Sequence, residues 1–133
     1  MTGHSSTVWQ LDFDAEGEHL ASVSEDFSVK VWKIGETETK CIATNSQAHK
    51  RYVYGASFNR KNSSILASCG ADNKICVFAL KDGQTDNPQL ELLFSKSSAH
   101  TSDVNAVAFR PNSEDLLVSV SDDQTVKLWR FKQ

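Results

Sequence analysis

One pattern recurs three times along this chain, in register. A His is followed 22, 23 and 23 positions later by an Asp, and each Asp is followed six positions later by a large aromatic. The sets are His4, Asp26 and Trp32, then His49, Asp72 and Phe78, then His100, Asp123 and Trp129. Successive histidines stand 45 and 51 positions apart, and the added length falls in the Lys81–Pro88 stretch. A period of this size marks an array. Each unit is one supersecondary element that cannot bury its apolar face alone and must stack on a neighbour.

Within each unit, short runs rich in Val, Ile, Leu and Phe are divided by Gly, Asp, Asn and Ser. That is the signature of short antiparallel strands. Helical periodicity never persists for the ten or so residues a helix needs. Inner strands are expected near 8–13, 52–58 and 104–109, and second strands near 19–23, 65–69 and 116–120. Third strands are expected near 28–33, 74–79 and 125–130, and outer strands near 38–44 and 90–94.

The units open on Gly3-His4, Ala48-His49 and Ala99-His100, and close on Trp32-Lys33, Phe78-Ala79 and Trp129-Arg130. This resembles the WD40 family, whose blades begin near a Gly-His and close near a Trp-Asp. The Trp-Asp dipeptide itself has drifted. The resemblance implies an all-β fold of four-stranded antiparallel propeller blades, here spanning about 3–44, 45–95 and 96–133. The third blade has three expected strands. A propeller takes about four to eight blades, so three make an open arc with sheet faces uncovered at both ends. The expectation is a C-terminal portion of a seven-bladed ring, with self-association of the three blades as the alternative.

His4, Ser22 and Asp26 have the composition of a Ser-His-Asp triad, as do His49, Ser68 and Asp72, and His100, Ser119 and Asp123. A nucleophile needs its base within reach and an oxyanion site beside it. Here the set recurs once per blade at a fixed offset from an aromatic, and an enzyme rarely needs three identical sites in adjacent sheets. The resemblance implies a structural network instead. The His bonds the turn Asp and the strand Ser, and the Ser meets the indole N–H of Trp32 or Trp129. Phe78 has no N–H, so the second blade's network is expected to be the weaker one.

Propellers of this kind bind through loops and strand ends on one face. The residues flanking the first valine of each inner strand should project there: Thr7 and Trp9, Tyr52 and Tyr54, Asp103 and Asn105. Glu25, Ala71 and Asp122, just before each turn Asp, should join them. Trp and Tyr are enriched in binding hot spots, but a large aromatic at a strand start serves a core equally well. Both roles stay open for Trp9, Tyr52 and Tyr54. Lys50 and Arg51 make a small basic spot beside the tyrosines, read as a solvated edge.

Composition excludes several classes. Net charge is −3 from 14 basic and 17 acidic residues, with no basic run of the kind a nucleic-acid binder shows. No apolar stretch approaches the roughly 18 residues that span a bilayer, and the N-terminus lacks a signal pattern. Cys41, Cys69 and Cys76 are an odd number and read as small buried side chains. Too few ligands stand together for a zinc or iron–sulfur site. No catalytic residue, metal or cofactor is expected, and neither is a nucleic-acid, membrane or small-molecule partner. The expected address is cytoplasmic, with the nucleus second.

Three stretches sharpen the resemblance. Gly3 to Asp14, the Ala67–Phe78 run with its Val-Phe ending, and Ala99 to Phe109 with Asp103-Val104-Asn105 look like blades five, six and seven of the WD40 subunits of cytosolic iron–sulfur protein assembly. The loop holding Pro88 sits where those proteins carry a long polar loop. The resemblance implies a docking platform that helps pass iron–sulfur clusters to apo-proteins and is not itself the cluster ligand. Its partners would be iron–sulfur targeting complex subunits and apo-protein clients. The alternative is a WD40 interaction scaffold in another complex, such as a ubiquitin-ligase receptor or a chromatin subunit.

Overall fold

The computed structural model describes residues 1–83 and 87–132, and all of their regular structure is strand. Residues 84–86, in the middle of the long loop expected at Lys81–Pro88, lie outside the described residues, as does Gln133. The first sheet holds β1 (Val8–Phe13), β2 (His19–Ser24), β3 (Val29–Ile34) and β4 (Thr39–Asn45) in chain order. The second holds β5 (Val53–Phe58), β6 (Ile65–Gly70), β7 (Ile75–Lys81) and β8 (Gln89–Lys96), and the third β9 (Val104–Phe109), β10 (Leu116–Ser121) and β11 (Val126–Arg130). All pairings are antiparallel. These are three up-and-down blades of a propeller, and the expected strands are all present with their ends moved by a residue or two.

Strand periodicity of two decides which side chains meet. On blade 1, Ala21, Val23, Val29 and Val31 face Ala56, Phe58, Leu66 and Phe78 of blade 2 in one core cluster. The other face of blade 2 offers Ile65, Ala67, Cys69, Ile75 and Val77 to Val104, Val107, Phe109 and Leu117 of blade 3. Cys69 and Cys76 therefore sit on neighbouring strands but on opposite faces, since Cys69 pairs with Ile75 and Cys76 with Ser68. Both are free thiols and buried as expected, whereas the free thiol Cys41, on the edge strand β4, is exposed. Burial pushes Cys76 up to about 12 and Cys69 above its ordinary value too.

Side chains also stitch the blades together. An inner strand presents unpaired N–H groups at its edge. Gln10 Oε1 accepts from the Ala56 N–H at 2.9 Å, and Asp12 Oδ2 from the Phe58 N–H at 2.8 Å. Ser57 Oγ accepts from the Phe109 N–H at 3.2 Å. At the opposite end, His19 is bonded to Asp14 at 2.8 Å through Nδ1 and to Asp82 of blade 2 at 3.0 Å through Nε2.

The two outer faces of the arc carry apolar side chains at positions that are buried on the inner faces. Phe13, Phe58 and Phe109 occupy equivalent positions, and their exposures are 46%, 0% and 6%. Val31 and Val77 are fully buried, while the equivalent Leu128 is 70% exposed.

Candidate protein-docking face

Each blade carries one His-centred network. In blade 1, His4 Nδ1 lies 2.9 Å from Asp26 Oδ2 and Nε2 lies 2.7 Å from Ser22 Oγ, while the Trp32 indole N–H donates to Ser22 Oγ at 2.8 Å. Blade 3 repeats this with His100, Asp123, Ser119 and Trp129 at 2.8, 2.6 and 2.8 Å. In blade 2, His49 meets Asp72 at 3.0 Å and Ser68 at 2.6 Å, and Phe78 offers no donor. A carboxylate only accepts, so the arrangement that uses every group puts the His proton on Nδ1. The Ser O–H then donates to Nε2, and its lone pair takes the indole N–H. The serines are buried (6% or less), and each Oγ is engaged by the His of its own blade.

The turn adds a hydroxyl that the sequence reading missed. Ser28 Oγ donates to Asp26 and Thr125 Oγ1 to Asp123, both at 2.5 Å, while blade 2 has Lys74 there. The signal was present as a Ser or Thr two residues after the Asp. Burial alone would raise the Asp26 carboxyl, but bonds from Ser28, the Ser5 N–H and His4 outweigh it and hold it well below the usual range. Hydrogen bonding from Thr125 does the same for Asp123, over an opposing desolvation. Asp72 is also lowered, its burial offset by His49 and the Lys50 N–H.

The networks pin the loops whose ends form the candidate face. Each inner strand there contains a β-bulge. Pairing jumps from Val8 to Gln10, from Val53 to Gly55, and from Val104 to Ala106, leaving Trp9, Tyr54 and Asn105 without a partner across the ladder. A bulge re-aims the extra side chain. Trp9, Tyr54 and Asn105, with Gln10, line one shared cavity. Trp9 packs edge-on to Tyr54 at 5.6 Å, and Tyr52 packs on Tyr54 at 6.4 Å. Trp9 is 50% and Tyr52 42% exposed, so these rings stand outside the core clusters.

The other expected contact residues fall around these rings, with one exception. Thr7 is exposed and its carbonyl accepts from the Glu25 N–H at 2.9 Å. Asp103 and Asp122 are joined by a main-chain bond of 3.1 Å, and Asn105 donates to Asp122 at 2.6 Å. Ala71 does not belong with them. Its N–H makes the same turn bond as those of Glu25 and Asp122, to the Tyr52 carbonyl at 2.8 Å, but its short side chain is buried and offers no surface. Burial and the nearby Asp103 carboxylate raise the Tyr54 phenol above its ordinary value, which keeps it neutral. Phe27, which the sequence reading did not single out, joins the group 6.2 Å from Tyr52. Among the described residues, no group of three or more His, Cys, Asp or Glu could hold a metal ion, and no helix is long and apolar enough to cross a membrane.

Comparisons with known proteins agree with this architecture. The model of the family described as "WD domain, G-beta repeat" matches residues 1–33, 39–78 and 91–130. The chain is 38% identical over 99% of its length to the probable cytosolic iron-sulfur protein assembly protein Ciao1 of Culex quinquefasciatus, and 34% identical over 99% to that of Aedes aegypti. It spans 43% of the length of each of these relatives. A solved structure titled "Apo ctPRC2 in an autoinhibited state" superposes on 99% of the chain with a TM-score of 0.84 at 24% identity, covering 30% of that protein, which is a likeness of fold. The matched repeats and the three blades together place the chain in the WD40 family.

Proposed function

We propose that this chain belongs to a non-catalytic adaptor of cytosolic iron–sulfur protein assembly, holding other proteins while clusters pass to apo-proteins. The cluster is cargo in this proposal, and the partners are subunits of a targeting complex and their apo-protein clients. The scaffold part rests on the strand-start face. Three bulges aim Trp9, Tyr54 and Asn105 outward, while each repeated Ser-His-Asp set is closed inside its blade. The process is carried by one observation, the identity of 34–38% along nearly the whole chain to relatives named for that assembly. The setting is then the cytosol. A role in a chromatin complex has only the fold likeness behind it, at 23–24% identity.

Depletion of the protein tests the proposal. Cytosolic iron–sulfur enzymes should lose activity and iron incorporation while mitochondrial ones keep theirs. Unchanged cytosolic enzymes, or an equal loss in both compartments, contradicts it.

A further inference from the structure

Four aromatic rings form a row on the strand-start face where blades 1 and 2 meet. Phe27 lies 6.2 Å from Tyr52, Tyr52 6.4 Å from Tyr54, and Tyr54 5.6 Å from Trp9. Phe27, Tyr52 and Trp9 are each more than a third exposed. A contiguous row of exposed rings marks an interaction site rather than ordinary surface.

Phe27 supplies a second, independent observation. It sits in the β2–β3 turn with φ at +71°. The equivalent turn residues are Asn73 and Gln124, at +61° and +73°, so the left-handed conformation belongs to the turn and not to the side chain. Asn tolerates that region, whereas a bulky residue there is an outlier. The turn has no use for a Phe, and strain of this kind collects at binding sites. What the Phe adds is a ring at the end of the row.

Charge decides what such a row takes. Glu25 stands two residues from Phe27, and both Asp103 and Glu25 act electrostatically on Tyr54. Asp122 lies beside Asp103 and Asn105. None of these three carboxylates forms an ion pair among the described residues. Arg51 is an opposing charge that acts on Tyr54, and Lys50 precedes it in the chain. Ring faces flanked by unneutralised carboxylates are the chemistry that holds a cation.

We infer that this face receives a Lys or Arg side chain from an extended basic segment of a partner protein, stacked on the Phe27–Tyr52–Tyr54–Trp9 row and held by Glu25 and Asp103. The inference rests on the docking-face reading above and gives its partner a chemistry. Phe27, Glu25 and Asp103 confer specificity for positive charge, and Arg51 limits affinity.

The test follows the three indole N–H signals of the whole chain by NMR. The chain is titrated with a short peptide carrying a central Lys-Arg-Lys, and separately with its Glu-Glu-Glu counterpart. The basic peptide should move the Trp9 signal saturably. It should leave the signals of Trp32 and Trp129, whose N–H groups are bonded inside their blades, in place. Phe27→Asn restores a residue the turn accepts, so it should keep or raise Tm while weakening the peptide about fivefold. Asp103→Asn should weaken it comparably, and Arg51→Ala should tighten it. A Trp9 shift with the acidic peptide and not the basic one overturns the charge assignment and leaves the docking face standing. A Trp9 signal unmoved by the basic peptide overturns the inference, and the docking face then answers to its own co-purification test. A Phe27→Asn variant that loses Tm and binds as before also overturns it, because Phe27 then serves the fold.

Discussion

Ser22, Ser68 and Ser119 hold the same place in three blades and do not make the same bonds. Ser22 and Ser119 each join a His to an indole N–H, while Ser68 joins only His49. Removing a hydroxyl strands its partners, at about 1–3 kcal/mol for a buried group. Ser22→Ala and Ser119→Ala strand two partners, and Ser68→Ala strands one. Thermal melts should therefore rank Ser68→Ala as the mildest of the three, and a larger loss from it contradicts this difference between the networks. The same networks set a pH dependence. In the folded chain Asp26, Asp72 and Asp123 all lie below their ordinary value of 3.8. A depressed carboxyl contributes stability above its unfolded value, and that contribution is lost as pH falls through its folded value. Denaturant unfolding should show stability falling steadily below about pH 4, and Asp72→Asn should flatten part of the fall. Stability that rises on acidification through this range contradicts the assignment.

Among the elements, the strands were legible and the bulges were not. The His-to-Asp and Asp-to-aromatic spacings fix strand and turn lengths, so the strand ends were readable to within a residue or two. A bulge exists only relative to the strand opposite. The sequence placed Trp9, Tyr54 and Asn105 beside the right valines without showing that the ladder skips them. Phe27 escaped notice because a left-handed φ leaves no mark when the residue is not Gly or Asn. Ala71 is buried where Glu25 and Asp122 are not, because an offset from the turn Asp fixes a place in the turn and not an exposure. Gly55 shows what the bulge requires of its neighbour: a Cβ there would stand 2.7 Å from Cys69 Sγ and 3.1 Å from the Ala106 Cα. Both atoms are hemmed in between blades 2 and 3. Gly55→Ala should cost about 1–3 kcal/mol in a melt as an overpacking change, and a neutral result would show that the blades slide apart more freely than their contacts imply.

Across the whole molecule, neighbouring blades are joined by apolar cores and by side chains that no repeat pattern announces. Gln10, Asp12 and Ser57 reach edge N–H groups of the next blade, and His19 reaches Asp82, because of how adjacent sheets are offset in space. The outer faces of the arc repeat the apolar positions of the inner ones without cover, as Phe13, Val126 and Leu128 show. Exposed patches of this kind drive association. Sedimentation of the isolated chain should show concentration-dependent self-association that Leu11→Lys with Leu128→Lys reduces, and a monomer at all concentrations contradicts that view of the end faces.

The role proposed for this arc of WD40 blades is to dock proteins through its bulge residues, in the service of cytosolic iron–sulfur assembly. Quantitative co-purification with the tagged protein tests both halves at once, comparing wild type with Trp9→Ala/Tyr54→Ala after their melting temperatures have been matched. The wild type should retain identified cytosolic iron–sulfur assembly components, and the variant should lose most of them. Equal recovery by a folded variant, or their absence from the wild type, contradicts it.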